Sequence, residues 1–415
     1  LLEPSGFCST LPCSPVTWRP RLQPAHHSGW LPKNRVATRK AGDERIVSVS
    51  SGTLTSTTLA LFVGGLALML GGAELLVRGA AQLARTFGVS SLVVGLTVVA
   101  WGTGSPELAV GLTADLADHS ALNIGNVVGS NIANILLVLG FAALLLPLTV
   151  SRRFVRFDIP LMIGVSVLAL LASLDGRIST FEGLAFVSSL FVYTVWTIRE
   201  SRRTRQAKLG HHAGEGREAT SQGDSRKPAP IICGVMITVG LFLVVKGSAW
   251  FVEGAVVLAR AFGLTELVIG LTIVAIGTSL PELATSAVAV AKGERAIAVG
   301  NAIGSNIFNL LAVLGITAIV APDGISVPSA ALSLNLPIMI GVAIFSLLVF
   351  LAGHIMTRWN GALFLVLYAA YSTYIVLEAT QHAAFSNFNT IMTMFVLPVT
   401  TLTLVVLAYQ SWRNR

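Results

Sequence analysis

From about residue 57 onward the chain is a succession of long apolar runs separated by short polar breaks. A run of roughly 20 apolar residues is long enough to cross a bilayer as a helix. Such runs lie near 57–80, 90–114, 122–147, 157–174, 179–198, 230–252, 265–290, 297–321, 331–352, 360–378 and 389–410. The pattern is duplicated. A 46-residue block from Gly95 to Gly140 recurs 175 positions later, from Gly270 to Gly315, with 24 identical pairs. The match extends outward, from Arg78–Thr97 onto Glu253–Thr272 and from Pro160–Gly164 onto Pro337–Gly341. The runs therefore group as five plus five, with one more at the end. Five is odd, so a unit of five crossings followed by its copy must place the copy upside down.

Composition agrees with this reading. The chain is 53% apolar and 12% charged, with mean hydropathy +0.76, against about 25% charged residues in an ordinary soluble domain. The expected fold is an all-α integral membrane protein with two inverted five-helix repeats, ten core transmembrane helices and an extra C-terminal helix. The expected divisions are a leader over 1–54 and a first repeat over 55–198. A basic cytoplasmic linker over 199–229, a second repeat over 230–378 and an added helix over 379–415 follow. The leader holds seven Lys/Arg and six of the sixteen prolines and has no repeat partner. It reads as a disordered tail, a targeting extension or sequence upstream of the true start.

The net charge of +8 resides largely in the leader and in residues 199–227, where eight Lys/Arg face four Asp/Glu. That placement indicates a solvated linker rather than a nucleic-acid partner. If the first run enters from outside, Arg78, Arg85, Arg152, Arg153, Arg156, the linker, Lys292, Arg295 and Arg358 fall on the cytoplasmic side. Asp115, Asp118, Asp175 and Asp323 then lie in the opposite loops, as the positive-inside rule favours, with Arg177 and Arg260 as exceptions. The expected location is a plasma membrane, the inner membrane in a bacterium. Glu74, Arg78, Lys246 and Glu253 read as interfacial groups.

The duplicated block reads GLTxVAxGTxxPELA followed by GNxxGSNIxN. Pro106 lacks an N–H, so it frees the carbonyl of Gly102 and kinks or breaks the helix. Glu107 follows at once, with Thr103 one turn before it. Gly277, Thr278, Ser279, Pro281 and Glu282 repeat the arrangement. Asn126, Ser130 and Asn134 form a polar stripe at four-residue intervals, as do Asn301, Ser305 and Asn309. Gly125/Gly129 and Gly300/Gly304 have the spacing of close helix packing. A charged side chain at a helix centre costs about 2.5–3.5 kcal/mol on insertion scales, and no Lys or Arg occurs in residues 87–151, 261–291 or 296–357. The natural partner of Glu107 and Glu282 is a bound cation, and oxygen ligands of this kind select hard ions such as Ca²⁺ and Na⁺. The histidines make no metal motif and no catalytic constellation is visible, so an enzyme is not expected.

These paired motifs resemble the alpha repeats of the sodium/calcium exchangers within the cation/calcium exchanger superfamily, especially the small prokaryotic members, over about residues 57–378. The resemblance implies an ion-binding core from the second, third, seventh and eighth helices, with the first and sixth sliding as a gating pair. It implies acidic ligands at Glu107 and Glu282, and hydroxyl ligands at Thr103, Ser130, Thr278, Ser305 and Ser279. Backbone-carbonyl ligands would fall on Ala100 and Ala275, and amide positions on Asn134 and Asn309. Two departures bear on this. Gly104 stands where the second repeat has Ser279, and Asn309 stands where some relatives, including potassium-dependent exchangers, have Asp.

The implied activity is exchange of Na⁺ for Ca²⁺ by alternating access, with both ions as transported substrates and no resident cofactor. A Ca²⁺/H⁺ exchanger would use the same carboxylates, and a cation channel is the reading from another class. The oligomeric state is left open.

Overall fold

The computed structural model describes residues 56–117, 119–214, 229–263, 273, 275–380, 382–392, 394, 403 and 406, with backbone alone at 205, 207–214 and 275. The leader over 1–54 and most of the run near 389–410 lie outside these residues. The first repeat holds α1 (Ser56–Phe87), α2 (Ser91–Thr103), α3 (Ser105–Leu116), α4 (Ser120–Leu145), β1 (Leu148–Thr149), α5 (Phe154–Ala172), β2 (Arg177–Ile178) and α6 (Thr180–Gly214). The second holds α7 (Pro230–Ala261), α8 (Ala275–Gly277), α9 (Leu280–Ala291), α10 (Arg295–Val320), β3 (Ile325–Ser326), α11 (Ala331–Leu351), β4 (Ile355–Met356) and α12 (Arg358–Ala379). A short α13 (Phe385–Ile391) follows. Among the described residues eight helices are each long and apolar enough to span a membrane, and α2 with α3 makes a ninth, bent span. The apolar α9 is shorter; residues 264–272, which precede it, lie outside the described set.

The four two-residue strands report the inversion. By position in the repeats, β3 is the counterpart of β1 and β4 that of β2. β1 pairs antiparallel with β4, and β2 with β3. Because α5 separates β1 from β2, the two ribbons lie at opposite ends of a spanning helix. Each strand and its counterpart therefore sit on opposite faces, which requires one repeat to be upside down relative to the other.

Burial locates the centre. The spans of α4 and α10 are buried over 78% and 83% of their apolar windows, against 6% for α12, so the two helices with the polar stripes form the middle of the molecule. Large apolar side chains on the periphery, such as Phe181, Phe242 and Val366, are exposed, as expected where hydrocarbon replaces water as solvent.

The first helix of each repeat packs against the other with unusual closeness. Gly65 and Gly72 on α1 meet Gly247 and Gly240 on α7, while Gly79 meets Met236 and Ile237 and Gly254 meets Phe62; the glycines of each helix stand at seven-residue spacing and hence on nearly one face. A Cβ at Gly72 would lie 2.8 Å from the carbonyl oxygen of Gly240, and one at Gly247 would lie 2.8 Å from that of Gly65. Gly247 and Gly240 are the repeat counterparts of Gly72 and Gly65, so this contact maps onto itself when the halves are exchanged.

Two sequence expectations are corrected. The linker was expected from residue 199, but α6 continues to Gly214, because Arg, Lys, Gln, Glu and Ala are good helix formers once a helix is under way. Asp115, expected in a loop, lies in the last turn of α3 and is buried.

Candidate functional site

The two prolines set the geometry. Pro106 occupies the first turn of α3, where its missing N–H is not needed, and α2 and α3 meet there at a bend of 43°. In the second repeat the break falls at Thr278 and Ser279, and Pro281 lies in the first turn of α9. Glu107 and Glu282 thus occupy first helical turns, where the helix dipole favours an acid, and both are 0% exposed. The carbonyl expected to be free at Gly102 is not bare, since Ser105 Oγ donates to it at 2.7 Å. Leu280 occupies the equivalent position in the second repeat and offers no such donor.

The stripes of α4 and α10 close the site from the other side. Asn126 Nδ2 donates to the main-chain oxygen of Glu107 at 3.2 Å, and Asn301 Nδ2 to that of Glu282 at 3.3 Å and to Ser286 Oγ at 3.0 Å. The first Asn of each stripe therefore fastens the broken helix. Thr103 Oγ1 donates to Asn301 Oδ1 at 3.1 Å and lies beside the Glu282 carboxylate, so the break of the first repeat reaches into the second. Ser305 Oγ stands 3.5 Å from Glu282 Oε1, a long contact. The two carboxylates are within Coulombic reach of one another.

The last Asn of each stripe is different. Asn134 and Asn309 each begin a wider π-helical turn, Asn134–Leu139 and Asn309–Val313, a feature frequent at functional sites. Both amide groups lack a protein hydrogen-bond partner, as do both Glu107 oxygens, Glu282 Oε2 and Ser279 Oγ, all of them buried. Buried polar groups are normally paired. Buried, unpaired oxygens of this kind are the donor type suited to a hard cation.

Of the side chains that the sequence offers as ligands, all with a described position except Thr278 are buried: Thr103, Glu107, Ser130, Asn134, Ser279, Glu282, Ser305 and Asn309. Thr278 is half-buried at the break. Ala100 is buried and its carbonyl already accepts the Gly104 N–H at 3.0 Å, leaving one lone pair. Ala275 opens α8. One further polar group was missed. Thr285, one turn after Glu282, is fully buried with an unpartnered hydroxyl. Its counterpart is Val110, so matching the repeats passes over it; its i+3 spacing from Glu282 is the signal that could have found it.

The structure also explains the Gly104 departure. A Cβ there would lie 2.8 Å from Phe308 Cδ1. The counterpart of Phe308 is Ala133, so the small-for-large exchange runs in opposite directions at the two breaks. Of the motif glycines, Gly300 and Gly304 are packing positions against α2, with virtual Cβ contacts of 2.5 and 2.6 Å to the carbonyl oxygens of Leu92 and Leu96.

The pattern defining the sodium/calcium exchanger protein family matches residues 57–199 and 233–377, one segment in each repeat. The inner membrane protein YrbG of Escherichia coli is 39% identical over 289 residues, 70% of this chain and 87% of that protein. The sodium/calcium exchanger MaX1 of Methanosarcina acetivorans is 31% identical over 321 residues, 70% of this chain and 90% of its own. A solved structure of the sodium-calcium exchanger NCX_Mj superimposes with TM-score 0.64 at 28% identity, covering 79% of this chain and 99% of that one. With its inverted halves, its paired broken helices and this match across both, the chain is a multi-pass integral membrane protein that belongs to the sodium/calcium exchanger family.

Proposed function

We propose that this protein is a secondary active antiporter that exchanges Na⁺ for Ca²⁺ by alternating access, is electrogenic and does not require K⁺. The observation that carries this reading is the pair of fully buried glutamates, one from each inverted repeat, with three of their four carboxylate oxygens lacking a protein partner. Glu107 and Glu282 supply the charge. Thr103, Thr278, Ser130, Ser305 and Ser279 supply hydroxyl oxygens, Ala100 and Ala275 carbonyl oxygens, and Asn134 and Asn309 amide oxygens. Two ionised carboxylates give a site of charge −2, which one Ca²⁺ neutralises and three Na⁺ exceed by one. Three-for-one exchange therefore moves net charge. Asn309, an amide rather than an acid, leaves no additional charge to recruit K⁺. Inverted repeats place such a site near the midplane, where it opens to each side in turn.

The test is ⁴⁵Ca uptake into proteoliposomes under an outward Na⁺ gradient. Uptake is expected with Na⁺ alone, unchanged by external K⁺ and faster when a K⁺ shunt relieves the membrane potential. Uptake driven by a pH gradient without Na⁺ would instead assign a Ca²⁺/H⁺ exchanger. Because protons compete with cations for the same carboxylates, the initial rate should fall as pH is lowered at a fixed Na⁺ gradient; a rate that rises on acidification contradicts the reading.

A further inference from the structure

A second buried carboxylate site lies off the duplicated motif. Asp115 is 5% exposed and accepts from Asn123 Nδ2 at 2.5 Å. Asn123 Nδ2 also donates to Thr317 Oγ1 at 2.9 Å, and both Asn123 and Thr317 are fully buried. Asp115 Oδ1 and Asn123 Oδ1 remain without a hydrogen-bond partner. A buried carboxylate beside an unpaired amide oxygen is unfavourable unless a cation or proton joins them, and no Lys or Arg occurs between residues 87 and 151.

Its position relates it to Glu107. Residues 107, 111 and 115 fall at four-residue intervals on one face of α3 and all three are buried, which places Asp115 about 12 Å along the axis from Glu107. Gly111, between them, has no side chain, and a Cβ there would lie 2.6 Å from Asn123 Oδ1. The amide oxygen therefore rests against bare backbone midway between the two acids. Asn126, three residues further along α4, already binds the Glu107 main chain. Polar groups thus line the way from the membrane face that carries β2 and β3 inward to Glu107. The same face presents exposed Asp175 and Asp323.

The other half has no equivalent. The counterparts of Asp115, Asn123 and Thr317 are Val290, Ala298 and Ala142, all 0% exposed. We propose that Asp115 and Asn123, positioned by Thr317, form an outer Na⁺ site that serves one face of the membrane only. A single carboxylate is neutralised by one monovalent ion, whereas Ca²⁺ would leave a buried excess charge, and the free oxygens are hard ligands. The role as a way-station to Glu107 rests on the transport reading above; the binding itself does not.

The test separates the two. In a Glu107→Gln/Glu282→Gln variant, purified in detergent, Na⁺ titrated against choline at fixed ionic strength should still raise the melting temperature saturably. Adding Asp115→Asn should abolish that response or weaken its half-saturation about tenfold, a loss of about 1.4 kcal/mol. A double variant with no Na⁺ response, or a response that survives Asp115→Asn, overturns the proposal. Should the triple variant not fold, Asn123→Asp in the same background decides. It raises the local charge to −2 and should transfer the response to Ca²⁺, and indifference to both ions overturns the site. Failure of Na⁺-driven Ca²⁺ flux in the unmodified protein would overturn the transport reading while leaving this binding result intact.

Discussion

At the break in the first repeat stand Gly104 and Ser105; at the break in the second stand Ser279 and Leu280. Behind the first lies Phe308, whose ring fills the space a side chain at 104 would need, and the position equivalent to that ring holds Ala133. Farther out, the first repeat has Asp115 and Asn123 where the second has Val290 and Ala298. The carboxylates, the threonines before them and the Asn/Ser stripes are common to both. The two halves thus supply one glutamate each at the breaks and differ in what surrounds them, including the extra carboxylate of Asp115. On the proposed reading, the symmetric part would hold the ions and the departures from it would bias how each side is reached.

The largest expected effect tests the shared part. If Glu107 and Glu282 contribute equivalently, Glu107→Gln and Glu282→Gln should each reduce Na⁺-driven ⁴⁵Ca uptake to background, because either change leaves one charge to face a divalent ion. Unchanged flux in either variant would remove that residue from the site, and unequal residual flux would show that the halves share the load unevenly.

Next in size is the α1–α7 contact, whose symmetry is also checkable. Gly72→Ala and Gly247→Ala each place a methyl group against backbone of the opposing helix, and overpacking of this kind costs about 1–3 kcal/mol. Equal falls in melting temperature are expected, because the contacts exchange with the halves. Gly71 is the control: a Cβ there meets nothing within 4 Å, so Gly71→Ala should leave melting unchanged or raise it, alanine being the better helix former. Unequal losses at 72 and 247 would mean that the pair does not pack as a symmetric unit.

How much of this was legible follows from what repeats. The glutamates, the Asn/Ser stripes and the odd span count were readable because each occurs twice, and the strand pairings agree with the inversion that the count required. Single features were not readable in this way. Asp115 read as a loop residue because it sits at the polar end of an apolar run, and only its helix's closeness to α4 and α10 shows it buried. Thr285 has Val110 as its counterpart and is passed over by the same comparison that finds Thr103. The Ser105 cap on Gly102 and the ring at Gly104 depend on side-chain placement, which spacing along the chain does not carry. The linker boundary was set by charge, and charge does not end a helix composed of good helix formers.

A moderate effect is expected from moving the second break's chemistry into the first. Gly104→Ser alone drives its Cβ into Phe308 and should lower folded yield and transport. Gly104→Ser with Phe308→Ala reproduces the Ser279/Ala133 arrangement and should restore both. The non-additivity expected for touching residues is about 0.5–3 kcal/mol, read from melting temperatures of the two single variants and the double. If the added hydroxyl reaches the ions, the double variant's half-saturating Na⁺ in flux assays should fall below that of the unmodified protein. A double variant no better than Gly104→Ser would show that Phe308 is not what excludes a side chain at 104.

The smallest effect concerns a link that one half alone possesses. Lys292 Nζ lies 2.7 Å from Glu74 Oε1, joining the residue after α9 to α1, whereas the counterparts of Glu74 and Lys292 are Ala249 and Ala117. The side chains are 42% and 38% exposed, and such pairs contribute about 0.2–1 kcal/mol. Glu74 also pairs with Arg78, so it keeps a partner when Lys292 is removed and the loss should fall at the lower end. Lys292→Met is therefore expected to lower the melting temperature by no more than about 2 °C at low salt, and the difference should vanish at about 1 M salt, where charges are screened beyond about 3 Å. A larger, salt-independent fall would mean that the lysine stem, rather than its charge, holds α9 against α1, and the asymmetry between the halves would then be one of packing.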